Sequence, residues 1–372
     1  MFEKRSSVDS PAEASPRPFP QTQIHIHAVG LVCAAGDQLY ALLGAVGTNL
    51  SCAIPHPVLT VPNSEGEEGA ALFAPVPGLE PYSEREERVA ELALHALGTA
   101  LTECPDVLSG HRVLVSTFLP PMAEEDISDL EALLREEIPA LNNATLRFSS
   151  CEEGVVAALE SLCVELASGT WEAVIFGGVD SLVGIENCRE LLRQGRLMAP
   201  HCAAGVFPGE AAAYLVLQAD RADEDSTRPC ATLIAASQAP EPHAGQGGDK
   251  KMNGLAQALT EAADRSKIRF AEVGEVVLTL STETANQLEW HQTLMCLWPT
   301  VGEVSPGESP IDPQILRLHS TLGELGAATL PLALALGCAR FEFEHPRRSS
   351  ILVAHGGGEV PLRGAVCLRS PE

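Results

Sequence analysis

Two segments of this chain are apolar almost all the way round: Val155–Ala167 (VVAALESLCVELA) and Leu325–Leu336 (LGAATLPLALAL). A surface helix shows a single apolar stripe, so a helix built from either segment must be enclosed on every side. Both are far shorter than the roughly 20 residues that cross a bilayer. One lies in each half of the chain, and around both the sequence alternates strand-like and helix-like runs, the pattern of α/β layering. The simplest arrangement puts both helices in a middle layer, between two sheets whose outer faces carry amphipathic helices. The expected fold is therefore α/β in five layers, α-β-α-β-α, from two similar halves. Two separate α/β domains, each with one buried helix, is the alternative.

The local pattern fills in this plan. Ile24–Val29 reads as a strand, followed by a turn around Gly30 and Gly36 and a helix from Gln38 to about Val46. Residues 51–82 are rich in Pro and Gly without a period, hence a long loop. Ser83 with Glu86 three residues on has the form of a capping box. After it Val89, Leu92, Ala93, Ala96, Leu97, Ala100 and Leu101 recur at steps of three and four, one face of a helix. Val113–Phe118, Ala173–Gly177 and Tyr214–Leu217 read as strands, and Asp126–Glu136 as a charged helix. In the second half Thr232–Ala235, Val276–Leu280, Ile315–His319, Ser350–Ala354 and Ala365–Arg369 read as strands, with helices over Gly254–Ala263, Asn286–Leu297 and Gly323–Gly337. The expected organisation is a disordered Ser/Pro-rich tail (1–22), a first half (23–219), a polar linker (220–229) and a second half (230–372).

Charge and cysteine usage narrow the function classes. Asp and Glu number 50 against 24 Lys and Arg, a formal net charge of −26 with only four lysines. Nucleic acid and anionic membranes are drawn to basic patches, so neither is an expected partner. Eleven cysteines without a CxxC pair suit reduced thiols rather than a disulfide framework. The N-terminal residues lack an apolar h-region, so a cytoplasmic protein is expected. No metal site is read: His25 and His27 alternate on a strand, and Glu289 with His291 lacks the spacing of a zinc-protease helix. The glycine-rich run His243–Gly254 lacks the Gly-Lys-Ser/Thr ending of a phosphate cradle and reads as a loop, so no cofactor is expected.

Five segments, in order, resemble the β-ketoacyl synthases of the thiolase superfamily. The opening IHIHAVGLVCAAGDQLYALLGAVGTNLS is similar to their first strand and helix, with Gly30, Gly36 and Gly47 matching the spaced glycines. Ser168–Leu182 resembles the segment after the nucleophile helix, and Pro208–Leu217 (PGEAAAYLVL) the strand with Gly-Glu-Gly-Ala-Ala. Leu325–Cys338 resembles the second buried helix, and His355–Val360 (HGGGEV) stands where the family has a Phe-Gly-Phe-Gly-Gly-like loop. The resemblance spans residues 24–369 and implies the same five-layer fold.

It also implies where chemistry would sit. A ketosynthase needs a cysteine thiolate at the start of its first buried helix, where the helix N-terminus lowers the thiol pKa. The matching position is Glu152, or Cys151 with a one-residue shift; Glu152 and Glu153 would then oppose a thiolate. Ser150 as N-cap with Glu153 at N3 explains the same residues as a capping box, with Cys151 an incidental neighbour. The resemblance further calls for two histidines from the second half. The first falls on Leu280 in LSTET. The second falls on Gly323, or on Glu324 if one residue is deleted, and the family's nearby lysine falls on Leu318, or on His319 with the same deletion. With both histidines replaced, the expected protein is a pseudoenzyme.

Three readings follow. The first is an accessory or adaptor protein working through its surface, like the degenerate thiolase-like proteins that accompany type VI secretion effector loading. The second is a chain-length-factor-like partner of an active ketosynthase. The third is an active 3-oxoacyl synthase using Cys151. A protein partner is expected in a homo- or heterodimer, paired through the sheet edges of first halves as the resemblance implies. The acidic charge disfavours docking of an acidic acyl carrier protein, unless Arg340, Arg347 and Arg348 form a basic patch.

Overall fold

The computed structural model describes residues 19–20, 22–62, 68–79, 84–110, 112–150, 154–199, 202–220, 228–241, 253–298, 313–343, 349–356 and 361–371. In the first half the strands are β1 (Ile24–Cys33), β2 (Ile54–Pro62), β3 (Glu68–Phe73), β4 (Val113–Leu119), β5 (Thr145–Ser150), β6 (Ala173–Ser181) and β7 (Glu210–Ala219). Its helices are α1 (Leu39–Gly47), α2 (Arg85–Glu103), α3 (Glu124–Glu137), α4 (Val155–Ala167) and α5 (Ile185–Arg193). The second half contributes β8 (Ala231–Pro240), β9 (Glu275–Leu278), β10 (Gln314–Arg317), β11 (Ser350–Gly356) and β12 (Leu362–Arg369). Its helices are α6 (Gly254–Ser266), α7 (Thr284–Leu297), α8 (Leu318–Leu322) and α9 (Thr329–Phe343).

Strand order exposes an internal repeat. The main sheet runs β10-β9-β11-β12-β8-β1-β7-β6-β4-β5. Each half places its own five strands in the order first, fifth, fourth, second, third. Each also repeats the same directions: first against fifth and fifth against fourth antiparallel, fourth with second and second with third parallel. The two halves meet edge to edge, Ile24, His25 and Ile26 of β1 pairing antiparallel with Leu233, Thr232 and Ala231 of β8. Backbone bonding is therefore continuous where two separate sheets were expected, because an edge left open between the halves would strand its N–H and C=O groups.

Packing supplies the five layers. One apolar cluster holds α4 and α9 together with inward residues of both halves, among them Leu31, Leu215 and Phe176 from the first and Leu233, Val353 and Leu368 from the second. A second cluster packs Val89, Leu92, Ala96 and Leu97 of α2 on the outer face of the first half, over Val115, Ile175 and Val216. A third packs Leu255 and Leu259 of α6 with Trp290 and Trp298 on the outer face of the second half. A core shared by both halves overturns the two-domain alternative.

Several local expectations change. The segment expected as loop over residues 51–82 carries the β2–β3 hairpin, a separate two-stranded sheet. Ser83 lies outside the described residues; α2 begins after Glu84 with no side-chain cap, and Glu86 and Glu87 occupy its first turn. β5 and α5 are additions to the elements expected from sequence, although Thr145–Phe148 alternates polar and apolar and Ile185, Cys188, Leu191 and Leu192 recur at steps of three and four. The strand expected to reach His319 ends at Arg317, and α8 starts at Leu318. The helix expected from Gly323 starts instead at Thr329, because Gly323 and Gly326 both take positive φ.

Two contacts fix the layer spacing. Glu210, fully buried at the start of β7, accepts from Arg88 Nε at 2.8 Å, Ser181 Oγ at 2.7 Å and the Val76 amide at 2.7 Å, tying α2, the end of β6 and the loop after β3 together. Gly30 lets α2 lie against β1: a Cβ there would fall 2.0 Å from the Ala96 carbonyl oxygen and 2.3 Å from the Ala100 nitrogen. Gly30→Ala is expected to lower stability by about 3 kcal/mol through overpacking. Gly98→Ala, on the same helix with open space beside it, is expected to raise it by up to about 1 kcal/mol. Urea midpoints of the two variants check the pair of opposite signs.

Candidate functional site

The start of α4 is where a buried helix presents its free N–H groups to the middle of the molecule. Gly154 holds the N-cap position at φ +90°, a conformation that favours glycine, and a Cβ there would lie 2.9 Å from Gln238 Nε2. Gln238 of β8 accepts from the Ala157 amide at 3.3 Å. Ser150 is the last residue of β5 and the helix takes Gly154, not Ser150 as expected, at its N-cap position before Val155. Cys151, Glu152 and Glu153 lie outside the described residues.

Beneath this helix start, Gly364 of β12 takes the side chain of Val156 so closely that a Cβ would sit 2.4 Å from it. Across the β11–β12 ladder Gly364 faces His355. His355 Nδ1 is 3.0 Å from Thr279 Oγ1, just beyond the end of β9. Burial pushes the His355 imidazole down to about 3, aided by the nearby charges of His319 and Arg363, so the ring is neutral at pH 7. Arg363 is itself held by Glu289 through bonds of 2.7 and 3.0 Å.

His319 completes the group. It sits buried in α8, and neither ring nitrogen has a hydrogen-bond partner among the described residues. Its Nδ1 is 3.6 Å from Glu324 Oε1, an oxygen that also lacks a hydrogen bond. The backbone brings them together: Gly323 turns at φ +80°, and Glu324 exchanges backbone bonds with Phe207 (2.9 Å) and Gly209 (2.9 Å). Asp180 anchors the next turn, accepting from Arg85 at 2.7 Å and from the Ala327 amide at 3.1 Å. Burial raises the Asp180 carboxyl, and Arg85 works against that rise. Gly326 has no room for a side chain, since a Cβ would fall 1.8 Å from Asp180 Oδ2.

The residues named from sequence fall into place unevenly. Leu280, next to Thr279, is buried and packs in the outer cluster with Trp290 and Trp298. Gly323 is a turn residue with no functional group. His319 and Glu324, which take the lysine and histidine stations when one residue is deleted, are the pair the structure brings together. Glu283 forms a bidentate pair with Arg196 at 2.8 and 3.0 Å; burial opposes its charge, but Arg196 holds the carboxyl below its usual range. Thr282 donates to the Gly205 carbonyl at 2.6 Å, tying this loop to the first half.

Other candidates have structural partners. His25 Nδ1 is 3.1 Å from Thr232 Oγ1 and its ring meets His27 edge-on. His291 Nδ1 lies 2.7 Å from the Gln287 carbonyl oxygen, while Glu289 holds Arg363. Among the described residues no group of three His, Cys, Asp or Glu is placed to hold a metal. Residues 243–252 of the glycine-rich run, and Gly357–Val360 of HGGGEV, lie outside the described residues; Asn253 caps α6 by accepting from the Ala256 amide. Arg340 is not part of a basic patch: it is buried and bonded to Glu275. Arg347 and Arg348 lie outside the described residues. No described helix is long and apolar enough to cross a membrane.

Sequence reasoning missed the convergence of His319 with His355, and the roles of Thr279 and Gln238. His355 gave a signal, as it begins the HGGGEV segment, but its neighbours come from strands distant in sequence. Its depressed pKa has a measurable consequence. The unfolded chain binds a proton near pH 6.5 that the folded chain refuses until about pH 3. Stability is therefore lost as pH falls through that window, by up to about 1.4 kcal/mol per pH unit. His355→Gln is expected to flatten the fall, read from urea midpoints between pH 7 and pH 4.

The sequence matches no family model and no curated protein. Solved structures do match. The AntDE:AntF complex, a type II polyketide acyl carrier protein with its ketosynthase, superposes with a TM-score of 0.74 at 14% identity, covering 94% of this chain and 100% of that one. The ishigamide ketosynthase/chain length factor gives 0.69 at 15% identity, with 94% and 100% covered. A β-ketoacyl synthase from Burkholderia phymatum gives 0.68 at 15%, with 95% and 100% covered. At such identities the likeness speaks for architecture: the chain has the thiolase-like fold of the ketosynthases and chain length factors.

Proposed function

We propose that this chain is a non-condensing ketosynthase-fold subunit that works by pairing with a protein partner, in the manner of a chain length factor. The observation that carries the reading is the His319–Glu324 pair. Condensation develops negative charge on a thioester oxygen and on an enolate, and such charge is stabilised by fixed donors. With the one-residue deletion Glu324 takes the second histidine station and His319 the lysine station, and these two side chains are 3.6 Å apart. An anion there opposes the charge the reaction develops. Without the deletion the histidine station falls on Gly323, which has no side-chain donor. The first station is filled by Leu280, which has no donor and packs in the outer core.

The surface supports a pairing role. Among the described strands β5 ends the sheet and pairs with β4 alone, which offers an edge to a partner strand. Among the similar structures, one is a ketosynthase in complex with its chain length factor. A surface at −26, with Arg340 buried, disfavours an acidic carrier protein as the partner. An adaptor role in type VI secretion effector loading belongs to the same non-catalytic class and differs in the partner.

The test combines assay and assembly. With a malonyl thioester and an acyl thioester, the purified protein is expected to release no more carbon dioxide and form no more condensed product than a Cys151→Ala variant. Light scattering is expected to show a dimer, either of this chain alone or with an added partner. Turnover that depends on Cys151 would overturn the non-condensing reading. A strictly monomeric protein that captures neither a ketosynthase nor a secretion component would overturn the pairing.

A further inference from the structure

On one side of the seam between the halves, β1, the start of α1, the ends of α2 and α9 and the residues before β8 enclose a cavity of about 380 Å³. At its mouth Tyr40 and Phe343 are 62% and 49% exposed, and their rings meet edge to face at 6.4 Å. Large aromatics are seldom left in water without a use, and an exposed pair of them marks a contact surface. Glu103 and Glu342 line the same cavity, and neither makes an ion pair among the described residues. Burial raises the Glu342 carboxyl and the charge of Glu103 raises it further. Burial also pushes the Cys230 thiol up to about 11, and both glutamates add to the rise. The cavity is a place of unbalanced negative potential, with Arg228 the only Lys or Arg among its described lining residues.

A second cavity, of about 400 Å³, shares the lining residue Asp37 with the first. Its character is different. Val32, Val76, Pro77, Leu79 and Leu92 make its walls, with Glu91 among the polar lining residues. Asp37, common to both, is bonded to His95 at 3.2 Å.

We propose that the two cavities form one groove for an extended segment of a partner protein, seating an Arg or Lys side chain against Tyr40, Phe343, Glu103 and Glu342 and an apolar side chain against Val32, Val76 and Leu92. Aromatic faces and carboxylates together recognise a guanidinium or ammonium group. A small amine would fill only the first cavity, whereas two cavities that share a lining residue fit a chain with two anchors. The site is independent of the His319–His355 group, with which it shares no lining residue.

The probe is a series of fluorescein-labelled Gly/Ser peptides carrying one Arg and one Leu at varied spacing, read by fluorescence anisotropy at low salt. Saturable binding that weakens with added salt is expected at one or more spacings. Glu103→Gln combined with Glu342→Gln is expected to weaken it about tenfold, as is Phe343→Ala. Replacing the peptide's Leu by Ser is expected to weaken it as well. The substituted side chains are exposed, and an unchanged thermal midpoint confirms that each variant is folded. No saturable binding at any spacing, or binding untouched by the glutamate substitutions, would overturn the proposal. Free arginine amide binding as tightly as the peptide would mark a site for a small cation and overturn the peptide reading.

Discussion

The burial of α4 and α9 governs this molecule. α9 is buried from Thr329 to Arg340 and needs a wall on every side, whereas one twisted sheet offers only one face. α4, expected to be enclosed likewise, buries one face through Val155, Val156, Leu159, Leu162, Cys163 and Leu166, leaving Ser161 exposed and Glu160 paired with Arg265. Two half-sheets of the same strand order enclose the pair, and every further layer follows from that. The outer faces of the half-sheets become available to α2 and to α6, whose single apolar stripes need only one wall. β1 and β8, the first strand of each half, are left side by side and close the backbone seam.

The same arrangement creates the candidate site. A helix enclosed in the middle of a protein has to begin somewhere, and its free N–H groups point at whatever the opposite half supplies. In this chain the second half supplies a neutral His355, a buried His319 without a hydrogen bond, and the carboxylate of Glu324. Polar atoms left unsatisfied in a closed site are costly, and proteins tend to keep them where a ligand or function needs them. The Glu324 carboxylate, 3.6 Å from His319, differs from the fixed donors that stabilise an oxyanion, and Leu280 packs in the outer cluster. The non-condensing reading proposed above rests on the separation of architecture from activity seen across widely used folds.

In the pairing proposed above, partner recognition falls to the surface. The acidic character of the chain, the open edge of β5 and the aromatic-acidic groove beside the seam all lie where another protein can reach them. Arg340 shows why charge counting has limits: a cation assigned to the surface from its place in sequence neutralises Glu275 inside the protein.

The sequence by itself determined the layers. All-round apolarity in Leu325–Leu336 and the three-and-four spacing from Val89 to Ala100 are local patterns that dictate how much of each helix must be covered; Val155–Ala167, read the same way, carries Glu160, Ser161 and Glu165 and is covered on one face. It also determined that Leu280 has no donor, because side-chain chemistry needs no coordinates. Only the tertiary structure decided that the halves join through β1 and β8, that β5 forms the free edge, and that the stretch after residue 51 holds a hairpin. Those outcomes depend on pairing between segments with weak patterns of their own. It also decided that His319 meets Glu324 and lies near enough to His355 for its charge to act on that ring. Residues far apart in sequence come within reach only after strand order and the left-handed turn at Gly323 are set, and no spacing rule along the chain encodes that distance.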